Sequence, residues 1–190
     1  DDVTRLLVAS AAVIPVFRIP EWDYPLLTDV FVCQDQLSDN LELLNCKDDV
    51  MGLVIYNKSS VYLSKDLLLK NFQKTDGNNL GLHEFMHKID EGSGVIDGVL
   101  PAPFLSKKER SEWLGIVDNE MNKLKRKESD LKEYALTSRA EFIAVAAEYF
   151  FERPVEMKEK HASLYAMMQK MFRQDLASAV SDEAKKIIMK

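Results

Sequence analysis

The stretch GLHEFMHKID, residues 81–90, holds two of the chain's three histidines, four positions apart, with a glutamate after the first. On a helix of 3.6 residues per turn, His83 and His87 project from the same face. Two imidazoles so placed can share one metal ion, and Glu84 lies beside them to take a proton from water. The neighbouring positions are apolar: Leu80, Leu82, Phe85, Met86 and Ile89. Two buried histidines without partners would be costly, so the stretch predicts a metal site rather than a solvent-facing helix.

A third ligand decides the class of site. A metzincin continuation requires glycine and histidine three and six residues after His87, where this chain has Asp90 and Ser93. Asp90 is itself an alternative, but three ligands on successive turns of one helix make poor tetrahedral geometry. A carboxylate from a second helix fits better. The apolar stretch SRAEFIAVAAEYFFE offers two, Glu141 and Glu148.

Length and composition predict one globular domain over residues 1–190, because 46% of the chain is hydrophobic and 29% is charged. No segment approaches the roughly 20 apolar residues of a membrane span, so we expect no membrane partner. The net charge of -6 disfavours a nucleic-acid partner, because it repels the phosphate backbone. Cys33 and Cys46 make no disulfide framework, which suggests a reducing, cytoplasmic location.

The pattern of apolar residues predicts an α+β fold in which a small β element precedes a mainly helical region. An amphipathic N-terminal helix ends at Pro15, and a short strand follows at Asp29–Cys33. A hairpin is predicted from two β-rich runs, Gly52–Tyr56 and Val61–Leu63, with a turn at Asn57–Ser60. Ser64 is predicted to cap a helix that runs into DLLLKNFQ, and the polar loop TDGNN, residues 75–79, supplies a cap for the helix of the two histidines. Further helices are predicted over residues 107–126, 137–152, 154–172 and 177–189.

These residues together resemble the Mlc titration factor A family of zinc peptidases, whose metal-site core is similar to the anthrax lethal factor protease domain. The family signature is HEFxHKxD, a Gly/Pro-rich loop, and a tyrosine seven residues before the glutamate of an AEFFAxxxExFF helix. This chain has HEFMHKID, GSGVIDGVLPAP, Tyr134 and AEFIAVAAEYFFERP. The stretches AAVIPVFRIPEWDY and LYAMMQKMFRQD also match, so the resemblance covers about residues 1–176.

The resemblance implies a zincin-like peptidase domain with one zinc ion per chain, held by His83, His87 and Glu141. Glu84 would be the general base and Tyr134 the group that stabilises the oxyanion; without the family, Tyr134 has a core tyrosine as its alternative. Met86 departs from the small residue usual in the family. The family's N-terminal extension is expected to be absent.

Two functions are therefore expected. The first is a zinc metallopeptidase that acts on a peptide or protein substrate through metal-activated water, with Glu84 as its base. The alternative is a regulatory binding protein that sequesters a transcriptional repressor of sugar transport without catalysis. An intact Glu84 favours the first, because a pure binder has no need of it.

Several residues near the site have two interpretations. Asp90 either hydrogen-bonds the far nitrogen of a ligand histidine or is a helix-end acid. Glu148 is expected to lie behind the ligands or at the surface, and His161 to be exposed and unrelated to the metal. The strand Val61–Ser64 is either an edge for an extended substrate or an ordinary sheet edge.

Overall fold

The computed structural model describes residues 1–33 and 59–180, and within them it is mainly helical with a two-stranded sheet. The predicted α+β class is confirmed. The elements in chain order are helix α1 (Asp2–Val13), strands β1 (Asp29–Cys33) and β2 (Ser60–Ser64), and helices α2 (Lys65–Asn71), α3 (Leu80–Asp90), α4 (Glu109–Lys125), α5 (Arg139–Glu152), α6 (Pro154–Lys160) and α7 (Ala162–Phe172). None of the helices in these ranges is both long and apolar enough to cross a membrane.

The two strands pair in parallel, with Asp29 opposite Ser60 and Cys33 opposite Ser64. Val61–Leu63, predicted as half of a hairpin, is therefore the centre of a strand that pairs with a distant one. Its predicted hairpin partner, Gly52–Tyr56, lies outside the described residues. Ser60 was expected in the turn and belongs to β2 instead. Use of this strand as a substrate edge stays a prediction.

Side-chain caps fix where the site helices begin. Asn79 accepts a hydrogen bond from the Leu82 amide and so starts α3, as its place in the polar TDGNN loop predicted. Ser138 accepts from the Glu141 amide and starts α5. Because the cap sets the first turn, Glu141 lies in the first turn of α5, close to the helix N-terminus.

The helix predicted over 154–172 is two helices, separated at His161, whose backbone is not helical (φ −130°, ψ 51°). Residues 176–180 are helical, and most of the helix predicted over 177–189 lies outside the described residues. Cys33 is disulfide-bonded, contrary to the expectation of reduced cysteines. Its partner lies outside the described residues.

Helix α3 lies between two groups of buried apolar side chains. Met86 and Ile89 belong to the main core, which also contains most of α5, and Phe85 belongs to a smaller group with α1, α2 and β2. Nearly every residue of α5 from Phe142 to Phe150 is buried. A helix apolar on all sides is held by neighbours all round, so α5 is a rigid support for the carboxylates it carries.

Candidate metal centre

Three predicted ligands, His83, His87 and Glu141, lie together where α3 meets the first turn of α5. Their nearest ligand atoms all lie within 4.8 Å of one another. His83 Nε2 is 3.0 Å from Glu141 Oε2 and 3.2 Å from His87 Nε2. Glu141 Oε2 is 3.4 Å from His87 Nε2. The structure thus brings two imidazole nitrogens and one carboxylate oxygen to a single point.

The atoms that converge at this point can act as acceptors for protons or as ligands for one cation. His83 Nδ1 lies 2.8 Å from Glu148 Oε1, and a carboxylate only accepts, so the proton of a neutral His83 ring sits on Nδ1. Its Nε2 then presents a lone pair toward the Glu141 carboxylate. Protons or a metal ion must separate these groups. Two imidazole nitrogens and a carboxylate oxygen are a donor set that suits zinc.

The charges of the cluster shift the pKa values of its members. Burial lowers the pKa of His83, but its hydrogen bonds with Glu141 and Glu148 outweigh burial and raise the pKa to about 9. Burial raises the pKa of Glu141, and hydrogen bonds from His83 and His87 reverse this and hold that pKa well below its usual range. Both shifts mean that, without a metal ion, the site favours positively charged rings beside an ionised carboxylate.

Glu148 supports the site from behind. It is buried on α5, two turns after Glu141, so of its two expected places it takes the one behind the ligands. While Oε1 faces His83, Oε2 accepts from the Asn79 amide at 2.7 Å and from Lys132 Nζ at 2.8 Å. The carboxylate that sets the His83 tautomer is thereby fixed by two donors of its own.

Glu84 follows His83 on α3 and is not one of the converging groups. Burial raises the pKa of its carboxyl group, and the nearby histidines act in the opposite direction. The negative charge of Glu141 raises this pKa further. A carboxylate with a raised pKa beside a metal-ligand cluster has the proton affinity that a general base requires.

Tyr134 lies at the mouth of the cluster. Its side chain is 54% exposed, and its ring centroid is 6.0 Å from that of His83. Burial of part of the phenol, together with the negative charge of Glu141, raises the pKa of its hydroxyl. A core tyrosine would be covered on all sides, so this exposure argues against the core alternative.

Asp90 is the last residue of α3 and so takes the helix-end place of its two predicted ones. It is completely buried, and Oδ2 accepts a hydrogen bond from the Gly98 amide at 2.8 Å, which ties the loop after α3 back to the helix. Burial raises its pKa to about 6, although that hydrogen bond acts against the shift. Oδ1 of Asp90 and Nδ1 of His87 are buried and have no hydrogen-bond partner among the described residues.

The prediction that His161 is exposed is wrong: the residue is 4% exposed and lies between two acids. Nδ1 lies 2.7 Å from Glu120 Oε2, and Nε2 lies 2.7 Å from Asp130 Oδ1. Asp130 also accepts from Tyr149 and Lys160. Both ring nitrogens are used, so His161 is separate from the metal cluster, as expected.

Sequence reasoning missed Asn79 and Lys132 as supports of the cluster. Asn79 was foreseen as a possible cap, but its amide bond to Glu148 depends on tertiary packing. Lys132 lies in a charged stretch that resembles a solvated helix end, and no local spacing connects it with Glu148. The signal in the sequence that could have pointed to Lys132 was its position two residues before Tyr134.

The sequence of this chain is similar to one family model and to several known proteins. A family model described as glucose-regulated metallo-peptidase M90 matches residues 1–173. Mlc titration factor A of Edwardsiella ictaluri is 27% identical over 158 residues, which are 79% of this chain and 59% of that protein. An uncharacterised protein of Synechocystis sp. is 26% identical over 90% of this chain and 66% of its own length. Mlc titration factor A of Pectobacterium atrosepticum is 26% identical over 76% of this chain and 56% of its own length. The chain thus spans less than two thirds of each of these relatives.

Proposed function

Because the chain belongs to the glucose-regulated metallo-peptidase M90 family, we propose that it is a zinc-dependent peptidase with one ion held by His83, His87 and Glu141. The observation that carries the proposal is the convergence of three acceptor atoms, all within 4.8 Å, at the α3–α5 junction. Zinc bound there would polarise a peptide carbonyl and lower the pKa of a water molecule to about 7. The substrate is a peptide or a protein.

Glu84 is the general base of this proposal. It follows His83 directly and precedes His87 by three residues, so it lies beside the cluster without belonging to it. Its carboxylate takes a proton from the attacking water and later gives it to the leaving amine. The raised pKa of Glu84 favours that uptake.

Tyr134 supplies a hydrogen-bond donor to the oxyanion. Its exposed ring beside His83 places the phenol at the open side of the cluster. A donor that meets charge only as it develops contributes roughly 3 kcal/mol to transition-state stabilisation. The site thus combines three segments of the chain: α3 with both histidines and Glu84, the segment of Tyr134, and α5 with Glu141.

A second function is a regulatory one, in which the protein binds a transcriptional repressor. The observation that favours it is the name of two relatives, Mlc titration factor A, which denotes an interaction with Mlc. Such binding needs a surface but no general base. Glu84 beside the acceptor cluster therefore supports the peptidase as the first function, and repressor binding can accompany it.

The substitution Glu84→Gln tests the peptidase. We expect full zinc content by metal analysis, because Glu84 is not among the three converging groups, and loss of cleavage of a quenched-fluorescence peptide library. Glu112→Gln, a change on the exposed surface of α4, is the control and keeps both. Cleavage at the wild-type rate in zinc-loaded Glu84→Gln would contradict the mechanism and leave the regulatory function in first place.

A further inference from the structure

Lys132 begins the short segment that carries Tyr134. The 3-10 helix Glu133–Leu136 starts directly after it, and the Ala135 amide donates to the Lys132 carbonyl at 3.0 Å. Ala135 is fully buried, whereas Tyr134 beside it is half exposed. Tyr134 therefore lies between Lys132 and the buried Ala135. The direction of its side chain depends on how firmly the backbone is held at these two residues.

The Lys132 side chain connects this segment with the metal cluster. Its Nζ lies 2.8 Å from Glu148 Oε2, and the other oxygen of the same carboxylate lies 2.8 Å from His83 Nδ1. The Glu148 side chain is 5% exposed, while that of Lys132 is 33% exposed. One interior carboxylate thus holds both a predicted metal ligand and the start of the Tyr134 segment.

Loss of the Lys132 ammonium would leave the rest of this arrangement in place. Glu148 Oε2 would still accept from the Asn79 amide, so the carboxylate would keep its orientation toward His83. Asp130, two residues before Lys132, is held independently by Tyr149, Lys160 and His161. The change is therefore confined to the stretch between Asp130 and the buried Ala135, which is the stretch that contains Tyr134.

We propose that Lys132 is a positioning residue, whose ion pair with Glu148 holds the Tyr134 hydroxyl in the direction of the reacting carbonyl. The proposal rests on the peptidase function proposed above. Positioning matters because a catalytic group displaced by about 1 Å loses much of its effect on the rate. Lys132 acts through Tyr134 and not through the metal, and this distinction can be measured.

The test is a double-mutant cycle of Lys132→Met and Tyr134→Phe. Methionine keeps the length of the side chain and removes the charge. We expect Lys132→Met to lower kcat about tenfold, with KM changed less than about twofold and zinc content kept. In protein that already carries Tyr134→Phe, the same change should have almost no further effect, because the group that Lys132 positions is gone. Lys132→Arg, which keeps the charge, should restore most of the rate.

Hydrogen–deuterium exchange in metal-free protein gives a second readout that needs no activity. Exchange in residues 131–137 should rise in Lys132→Met and stay unchanged in Lys65→Met. Lys65 is a matched control, since its ammonium pairs with Asp1 at 2.7 Å and its side chain is 25% exposed. This arm separates the two proposals: a protein without peptidase activity would still show the rise if Lys132 holds the segment.

Three results would overturn the role of Lys132. Losses in kcat that multiply across the cycle would mean that Lys132 and Tyr134 act independently. A loss of zinc in step with kcat would assign the effect to the metal ligands through Glu148. Unchanged exchange in residues 131–137 would show that the ion pair does not hold the segment.

Discussion

Tyr134 and Tyr165 show how the surroundings of a single residue separate chemistry from support. Tyr134 is exposed beside His83, while Tyr165 is buried, donates to Asp175 at 2.9 Å and accepts from the Ala177 amide at 2.8 Å. Burial raises the pKa of Tyr165 to about 12. Removal of the hydroxyl should therefore affect catalysis at Tyr134 and stability at Tyr165.

We expect Tyr134→Phe to lower kcat by about ten- to a thousand-fold, with a smaller change in KM, because its hydrogen bond strengthens in the transition state. Zinc content and melting temperature should stay at the wild-type values, since the ring stays and the hydroxyl is outside the core. Steady-state kinetics and a melting curve on one preparation measure both.

Tyr165→Phe is the matched control for that change. It should keep kcat and reduce the free energy of unfolding by about 1–3 kcal/mol, because the buried Ala177 amide loses its acceptor. An unchanged kcat in Tyr134→Phe would give Tyr134 a structural role instead.

At the scale of elements, the loop after α3 is pressed against the start of α5. Gly98 has φ +77°, and a Cβ there would lie 2.4 Å from the Arg139 backbone. Its amide donates to Asp90, and its carbonyl accepts from Trp113 Nε1 at 2.6 Å. Gly98 is thus the point where the loop after α3 meets α4 and α5, and the Arg139 that it contacts lies two residues before Glu141.

Gly98→Ala should therefore destabilise the protein by more than about 3 kcal/mol, since a clash with backbone adds to the roughly 1–2 kcal/mol of a left-handed conformation. It should also weaken zinc binding, because Arg139 must move and Glu141 follows in the same turn. Urea unfolding and competition with a zinc chelator measure the two effects.

Gly94→Ala is the comparison, as Gly94 has φ +87° but, within residues 1–33 and 59–180 and apart from its chain neighbours, no atom lies within 4 Å of its added Cβ. It should show only the conformational cost and normal zinc binding. Equal losses in the two variants would remove the close approach as the cause.

The elements that could be predicted from sequence are those determined by local pattern. HExxH on an apolar helix predicted the two histidines of the cluster, and the polar residues Ser64 and Asn79 predicted two helix starts. For the third ligand, residue reasoning offered both Glu141 and Glu148, because they lie two turns apart on similar faces. Only the packing of α3 on α5 shows that one faces the cluster and the other stands behind it.

Features that depend on distant partners could not be predicted. The parallel pairing of β1 with β2 joins strands far apart in the chain. The sequence pattern instead predicted a hairpin between two neighbouring β-rich runs. His161 lies between two amphipathic runs that read as one helix. Its break and burial depend on Glu120 and Asp130, which are 41 and 31 residues away.

At the scale of the whole molecule, His161 joins separate parts of the helical core. Its ring connects Glu120 on α4 with Asp130 in the loop before α5. The charged or titratable groups around those acids are Lys123, Tyr149, Lys160 and Glu156. Burial lowers the pKa of His161, but the hydrogen bonds to both acids outweigh burial and raise it.

This shift makes stability depend on pH. A group whose pKa is higher in the folded state stabilises fully below its unfolded value, about 6.5 for histidine, and loses that contribution as pH rises through the folded value. The free energy of unfolding should therefore fall from pH 6 to pH 9 more steeply in the wild type than in His161→Gln.

Urea unfolding of both metal-free proteins across that range measures the difference. His83 has a raised pKa in both, so its contribution cancels when the two curves are subtracted. Parallel curves would mean that His161 does not titrate differently in the folded protein.

The position of the metal cluster in the chain also bears on how the ion is acquired. His83 and Glu141 are 58 residues apart, and all of α4 lies between them. Closing a loop of this length costs about 3–4 kcal/mol of chain entropy, so an ion on the two histidines alone gives little help in recruiting the carboxylate. In small zinc domains the ligands are close in sequence, and the metal drives folding. Here packing must first dock α5 on α3, so we expect uptake of the proposed ion to follow folding, and metal content would then report on chains that have already folded.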